Sequence, residues 1–455
     1  MRLCLFTSFF ILCFSSSRAQ FVLVQNGRFI LNKKPYTFVG TNYWYGSLLP
    51  LEKGKAGIER LQIELDFLQS QNITNLRIIA GAEGRGKING IIRIGPSLQP
   101  HESIFDNKVA YGLDELLFEM QKRKMKAVIY LSNNWEWSGG FLQYLKWDQQ
   151  IADSVFEKTM SWDEMRDEIS KFYNCKKCTQ VYFDQVQFIV NRKNTFSNIL
   201  YKNDPTIMAW EIANEPRPMR PASITAYKEF IKLAAATIKK LDSKHLVTTG
   251  TEGYIGTENM EVYKAIHADK NIDYLTIHIW PKNWAWYTGV DLMVKMDSIL
   301  DQTGKYLDEH LGIAKALNKP LVVEEFGLPR DQNSFDKQSS TNARDVFFNF
   351  ILRKWRNVKG NDRYLAGINF WAYGGVANPI KNQIFWKNGD DYMGDPPMEP
   401  QGLYSVFNCD TGTWEVISRF QGKGYNEKVT LQQAHGDKEL NRLPGSNDKR
   451  VQTTN

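Results

Sequence analysis

Two stretches hold the residue types and spacing best suited to chemistry. Residues 205–217 open as an apolar run that suits a buried strand, turn polar within one step and stop at Pro216, which cannot continue a sheet ladder. Asn214 and Glu215 are thereby delivered to a rim. Residues 319–327 repeat the pattern, with a β-branched run ending in Glu324 and Glu325 ahead of the strand-breaking Gly327. Taken alone, Glu215 reads as the cap of a following helix or a surface partner of Arg217. Two strands ending in Glu about a hundred residues apart argue for more. If both strands are parallel in one closed barrel, their carboxyl ends share a face and the two side chains approach each other. Paired carboxylates are the chemistry of glycoside cleavage, in which one group is held protonated and the other ionised.

The elements that must position them recur along the chain. Strand readings fall at residues 37–45, 75–81, 126–133, 245–249, 273–280 and 366–373, besides the two above, which makes eight. Between them lie helical spacings, such as Ile58, Leu61, Leu65 and Leu68, and the stretches 112–123, 226–241 and 344–355. Eight alternating β and α elements predict an α/β fold, a single (β/α)₈ barrel with its active site on the loops after the strands. The turn signals Asn26-Gly27 and Asn32-Lys33 predict short β-hairpins ahead of it, and long loops are expected at its C-terminal face. Neither an internal repeat nor a linker rich in Pro, Gly or Ser divides the chain. The barrel is assigned residues 20–425; residues 426–455 are polar, lack hydrophobic periodicity and read as a poorly ordered tail.

Polar and aromatic residues converge at these strand ends: Arg77, Asn133 and Trp135, Asn214 and Glu215, His278 and Trp280, Glu325 and Trp371. Singly, Arg77 reads as a structural ion pair, His278 as a core histidine and Trp371 as core packing; their joint placement favours a site. Adjacent strand residues point to opposite faces, so only one of Glu324 and Glu325 is expected to face it. Glu325, nearer the loop, is the choice.

Composition bounds the partners. The 57 basic and 50 acidic side chains give a formal charge of +7 with no basic stripe, which removes the usual argument for nucleic acid. The 13 Trp suit flat ligands such as sugar rings, although a large core also absorbs them. Residues 1–19 combine Arg2, an apolar run and a small-x-small site ending at Ala19. They read as a cleaved secretory signal too short to span a membrane, so the mature protein is expected to be secreted, without a membrane partner. Cys175 and Cys178 form a lone C-x-x-C that reads as a local disulfide or two free thiols rather than a zinc site. Metal-ligand spacing is missing from the sequence, so no cofactor is expected.

Residues 210–217, 273–280, 322–327 and 367–371 together resemble the β-mannanase and β-mannosidase branch of glycoside hydrolase family 5, and residues 40–45, 76–77 and 133–135 add to the likeness. The likeness runs from about Phe21 to Ser418. It implies a retaining enzyme in which Glu215 is the general acid/base and Glu325 the nucleophile, with carboxyl groups about 5 Å apart. It also implies that Asn214 hydrogen-bonds the sugar hydroxyl beside the reacting carbon. Arg77 and His278 hold and tune the carboxylates, Trp371 lies beneath the sugar, and Trp135 and Trp280 join the binding residues. Many relatives carry Tyr where this chain has Trp280, so the nucleophile's support is altered or supplied elsewhere. The expected activity is endo-β-1,4-mannanase on β-mannan or manno-oligosaccharides by a monomer. The alternatives are an exo-acting β-mannosidase, to which the loops at 135–140 and 280–287 point, then a β-1,4-glucanase, then a non-catalytic carbohydrate-binding protein.

Overall fold

The computed structural model describes residues 21–357 and 364–421. Residues 1–19, expected to be a signal, and residues 426–455, expected to be a tail, lie outside the described residues. Eight parallel strands form one sheet: β1 (Phe38–Asn42), β2 (Asn75–Ile79), β3 (Lys126–Tyr130), β4 (Ile207–Glu211), β5 (Leu246–Thr248), β6 (Leu275–Ile279), β7 (Leu321–Phe326) and β8 (Leu365–Phe370). Hydrogen-bonded neighbours run β5-β4-β3-β2-β1-β8-β7-β6, so the first and last strands pair and the sheet curls into a (β/α)₈ barrel. β5 and β6 share no ladder; their seam is stitched by Asp273 N donating to Val247 O (2.8 Å), Thr248 Oγ1 to Tyr274 O (2.9 Å) and Thr276 Oγ1 to Thr251 O (2.9 Å).

The outer ring comprises α1 (Ala56–Ser70), α2 (Asn107–Lys122), α3 (Lys176–Val190), α4 (Ile224–Leu241), α5 (Met260–His267), α6 (Leu292–Leu317), α7 (Asn342–Asn357) and α8 (Thr411–Gln421). Their apolar faces pack on the barrel, which is why the 3.6-residue spacing of Leu61, Leu65 and Leu68 leaves all three fully buried. Between β3 and α3 the chain inserts three further helices, Gly140–Trp147, Asp153–Glu157 and Trp162–Ser170.

Ahead of the barrel, strands Leu23–Gln25, Arg28–Leu31 and Lys34–Tyr36 form the expected antiparallel hairpins. Asn26, Gly27, Asn32 and Lys33 all have positive φ, the backbone that the two-residue turns of right-twisted hairpins require. This small sheet closes the strands' N-terminal end, where Val22 and Phe29 pack with Phe38, Met208, Tyr274 and Val322.

Cys175 and Cys178 are joined in a disulfide, and the remaining described cysteine, Cys409, is free and exposed. No helix among the described residues is long and apolar enough to cross a membrane.

Candidate active site

At the strands' C-terminal end a cavity of about 450 Å³ opens, lined in part by Glu215, Glu325, Asn214, Trp135, Trp280 and Trp371. Glu215 lies just beyond β4 with φ +50°, a left-handed backbone rarely adopted by Glu. Flanking strands hold it there: Glu215 N donates to Gly250 O (2.9 Å), Asn214 N to Ser132 O (2.8 Å) and Asn134 N to Asn214 O (2.9 Å). Its carboxyl accepts the Trp135 indole N–H at 2.5 Å and meets His278 Nδ1 at 2.6 Å.

Glu325 sits near the end of β7, where the ladder to β6 slips: Ile277 pairs with Val323, but His278 pairs with Glu325, leaving Glu324 as an extra residue. This bulge corrects the expectation from strict alternation. Both glutamates turn inward towards Arg77, with Glu325 hydrogen-bonded to it and Glu324 Oε2 3.9 Å from its Nε. Of the two, Glu325 lines the cavity. Glu325 also accepts the Trp280 indole N–H at 3.2 Å, so the indole itself supplies the nucleophile candidate with a donor.

Arg77 and His278 do not line the cavity; both are fully buried behind the carboxyl groups. All five Arg77 N–H donors are spent on protein: Nε and Nη2 on Glu211 (2.8 and 2.6 Å), Nη1 on Asn42 (2.9 Å) and Glu325, Nη2 also on Asn214 (2.7 Å). Asn214 Nδ2 donates onward to Asn133 Oδ1 at 3.1 Å.

The electrostatics follow from burial. Desolvation raises the Glu215 carboxyl above its ordinary range, opposed by Arg217 and by the Trp135 hydrogen bond. Desolvation also raises Glu325, opposed by Arg77 and reinforced by the charge on Glu215. Burial and then Arg77 lower His278, so its imidazole is neutral at neutral pH. Each carboxyl group accepts one indole N–H, but Glu325 alone is also hydrogen-bonded to the Arg77 guanidinium, which makes it the better place for the pair's negative charge and leaves the proton to Glu215.

Several residues of the site escaped the sequence reading. Arg217 forms a paired hydrogen bond with Glu252 (2.5 and 2.6 Å) and lies over the rings of Trp135 and Trp162. Glu252 follows β5 as Glu215 follows β4, a signal that was available. Glu399, near Lys282 and pushed up to about 8 mainly by desolvation, comes from the long segment after β8, where nothing in the periodicity points to a site. Glu215, His278 and Glu325 bring one candidate ligand atom each within 4.8 Å, but a divalent cation there would sit against the Arg77 guanidinium, so the set fits carboxylate chemistry better than metal binding.

Two closely spaced carboxyl groups on the strand ends of a parallel barrel, walled by indoles, define a glycoside hydrolase. Residues 19–431 match the family model described as GH family 5 beta-mannosidase-like, and the chain belongs to that family. Over 374 residues it is 30% identical to mannan endo-1,4-beta-mannosidase 3 of Arabidopsis thaliana, covering 78% of this chain and 82% of the relative. The crystal structure of the glycoside hydrolase family 5 mannosidase from Rhizomucor miehei superimposes with a TM-score of 0.77 at 30% identity, over 92% of this chain and 100% of that one. A mutant of the Rhizomucor protein, in complex with mannosyl-fructose, superimposes with a TM-score of 0.78.

Proposed function

We propose that this chain is a secreted, retaining hydrolase of β-1,4-mannosidic bonds in mannans and manno-oligosaccharides, with Glu325 as nucleophile and Glu215 as acid/base. The observation that carries the reading is the approach of the two carboxyl groups, whose oxygens come within 4.8 Å across the cavity. That spacing suits direct attack on the sugar; an inverting pair needs roughly 6.5–9.5 Å to seat a water. Glu325 attacks the anomeric carbon as Glu215 protonates the departing oxygen, and Glu215 then takes a proton from the water that releases the sugar. Trp371 floors the sugar position, and Asn214, oriented by Arg77 and Asn133, presents its amide to the neighbouring hydroxyl.

The segment after β8 favours action at chain ends. Trp44 Nε1 donates to Gly394 O (2.8 Å), Tyr392 OH to Gly95 O (2.9 Å) and Tyr404 OH to Asn283 Oδ1 (3.0 Å). This ties the segment across the loops after β1, β2 and β6, and its Pro396, Met398 and Glu399 line the cavity. The leaving group is assigned to the part of the cavity lined by Trp135 and the half-exposed Trp162, whose rings lie 6.1 Å apart. Internal cleavage is the second reading, favoured by the name of the Arabidopsis relative.

A product time course on mannohexaose and linear β-1,4-mannan, beside a cellulose oligomer, tests both. Mannose alone from the first time point supports the end-acting form, and mixed oligosaccharides support internal cleavage. Turnover of only the cellulose oligomer rejects the sugar assignment.

A further inference from the structure

Beneath the cavity lies a second pair of glutamates that the displacement chemistry does not use. Glu211, the last residue of β4, and Glu324, on β7, are both fully buried. Glu211 accepts two hydrogen bonds from Arg77. Glu324 receives none from it, because every Arg77 donor is already spent. Its Oε1 is 3.3 Å from the Tyr274 hydroxyl, and no N–H or O–H is directed at its Oε2. An ionised carboxylate at full burial with one weak donor is badly solvated; a neutral acid there needs only an acceptor for its own proton. Glu211 is the neighbouring acceptor: its Oε2 takes the Arg77 Nε hydrogen at 2.8 Å, and the unpartnered Oε2 of Glu324 lies 3.9 Å from that same Nε.

We propose that Glu324 is a resident carboxylic acid whose proton is shared with Glu211, and that the pair are positioning residues that fix how much of the Arg77 charge reaches Glu325. This rests on the assignment of Glu325 as nucleophile. Four glutamates, Glu211, Glu215, Glu324 and Glu325, crowd one guanidinium and one neutral imidazole. Protonating Glu324 leaves Glu211 and Glu325 to share Arg77. The other titratable groups facing this pair are the hydroxyls of Tyr130 on β3, Tyr274 just before β6 and Tyr263 on α5, all buried and neutral. Burial and then the Glu211 charge push Glu324 well above the usual carboxylate range, with Arg77 opposing.

The test compares the full-length wild type with Glu324→Gln and Glu211→Gln. Infrared difference spectra of wild type minus Glu324→Gln at pH 7 are expected to show a protonated-carboxyl C=O band that shifts in D₂O. The Gln amide reproduces both shape and donor, so kcat/KM on an aryl β-mannoside stays within about threefold of wild type and the acidic limb of its pH profile is unmoved. Glu211→Gln hands the Arg77 charge to Glu325, so the acidic limb moves down by about one pH unit and kcat falls as the nucleophile loses basicity. The proposal is overturned if no such band is lost, if the Glu211→Gln profile overlies that of wild type while only thermal stability falls, or if Glu324→Gln cannot fold. Mass spectrometry after trapping with a 2-fluoro-mannosyl fluoride separates the two readings: a label on a residue other than Glu325 sinks the nucleophile assignment, whereas the infrared band reports on Glu324 alone.

Discussion

The same eight strands end in two different worlds. At their N-terminal end Met208, Val322 and Tyr274 meet Val22 and Phe29 of the hairpins in an apolar plug. A few residues further along the same strands, Glu211, Glu324 and Glu325 surround Arg77. The plug gains from burial, whereas the charged end bears a desolvation cost that only mutual pairing offsets. Tyr274 touches both, with its ring in the plug and its hydroxyl on Glu324. Stability and chemistry are thus separated along the barrel axis, and substitutions at the two ends should separate in what they damage.

The largest effect is expected from Glu325→Ala, which should lower turnover by at least about 10⁴-fold. Its melting temperature, read calorimetrically, should stay within a few degrees of wild type; a collapse of the fold would show that the charged end also holds the barrel together. Glu215→Ala comes next, with a loss of about 10²–10⁴-fold on manno-oligosaccharides and a smaller one on aryl mannosides whose leaving groups need no proton. Because the acid works protonated, wild-type activity should persist below the raised pKa of Glu215 and fall as pH climbs through it. That alkaline limb should vanish in Glu215→Ala, and an unchanged limb would assign the proton to another group.

At the other end, Phe29→Ala should cost about 3–5 kcal/mol in denaturant unfolding while kcat per folded molecule is retained. A matching loss of kcat would mean that the plug tunes the site. The smallest effect belongs to Glu399. Its carboxyl is held near 8 in the fold against the ordinary value of 4.5, so the unfolded chain binds fewer protons and this group erodes stability as pH rises from about 4.5 to 8. Glu399→Gln should therefore raise the melting temperature more at pH 8 than at pH 5, by about 2 °C, and an equal gain at both would contradict the raised pKa.

What the sequence made legible follows from short-range rules. Strands buried on both faces read as continuous apolar runs, so all eight were found, and the turn pairs Asn26-Gly27 and Asn32-Lys33 announced the hairpins. Glu215 and Glu325 stood out because each ends such a run. Alternation failed at Glu324, because a bulge is a relation between two strands and leaves no mark in either alone. Arg77 was found, but its place behind the carboxyl groups depends on Glu211, which reads only as the end of an apolar run. Glu399 and the wall it belongs to are set by contacts with Trp44 and Gly95, some three hundred residues away.

The ring is welded where its ends meet and only stitched between β5 and β6. A ribosome releases β1 early, yet that strand has no partner on one side until Phe370 has emerged, and Trp371, the floor of the cavity, follows at once. A growing chain therefore carries both glutamates long before it owns a place to bind sugar. Activity arrives with the final strand, late and all together.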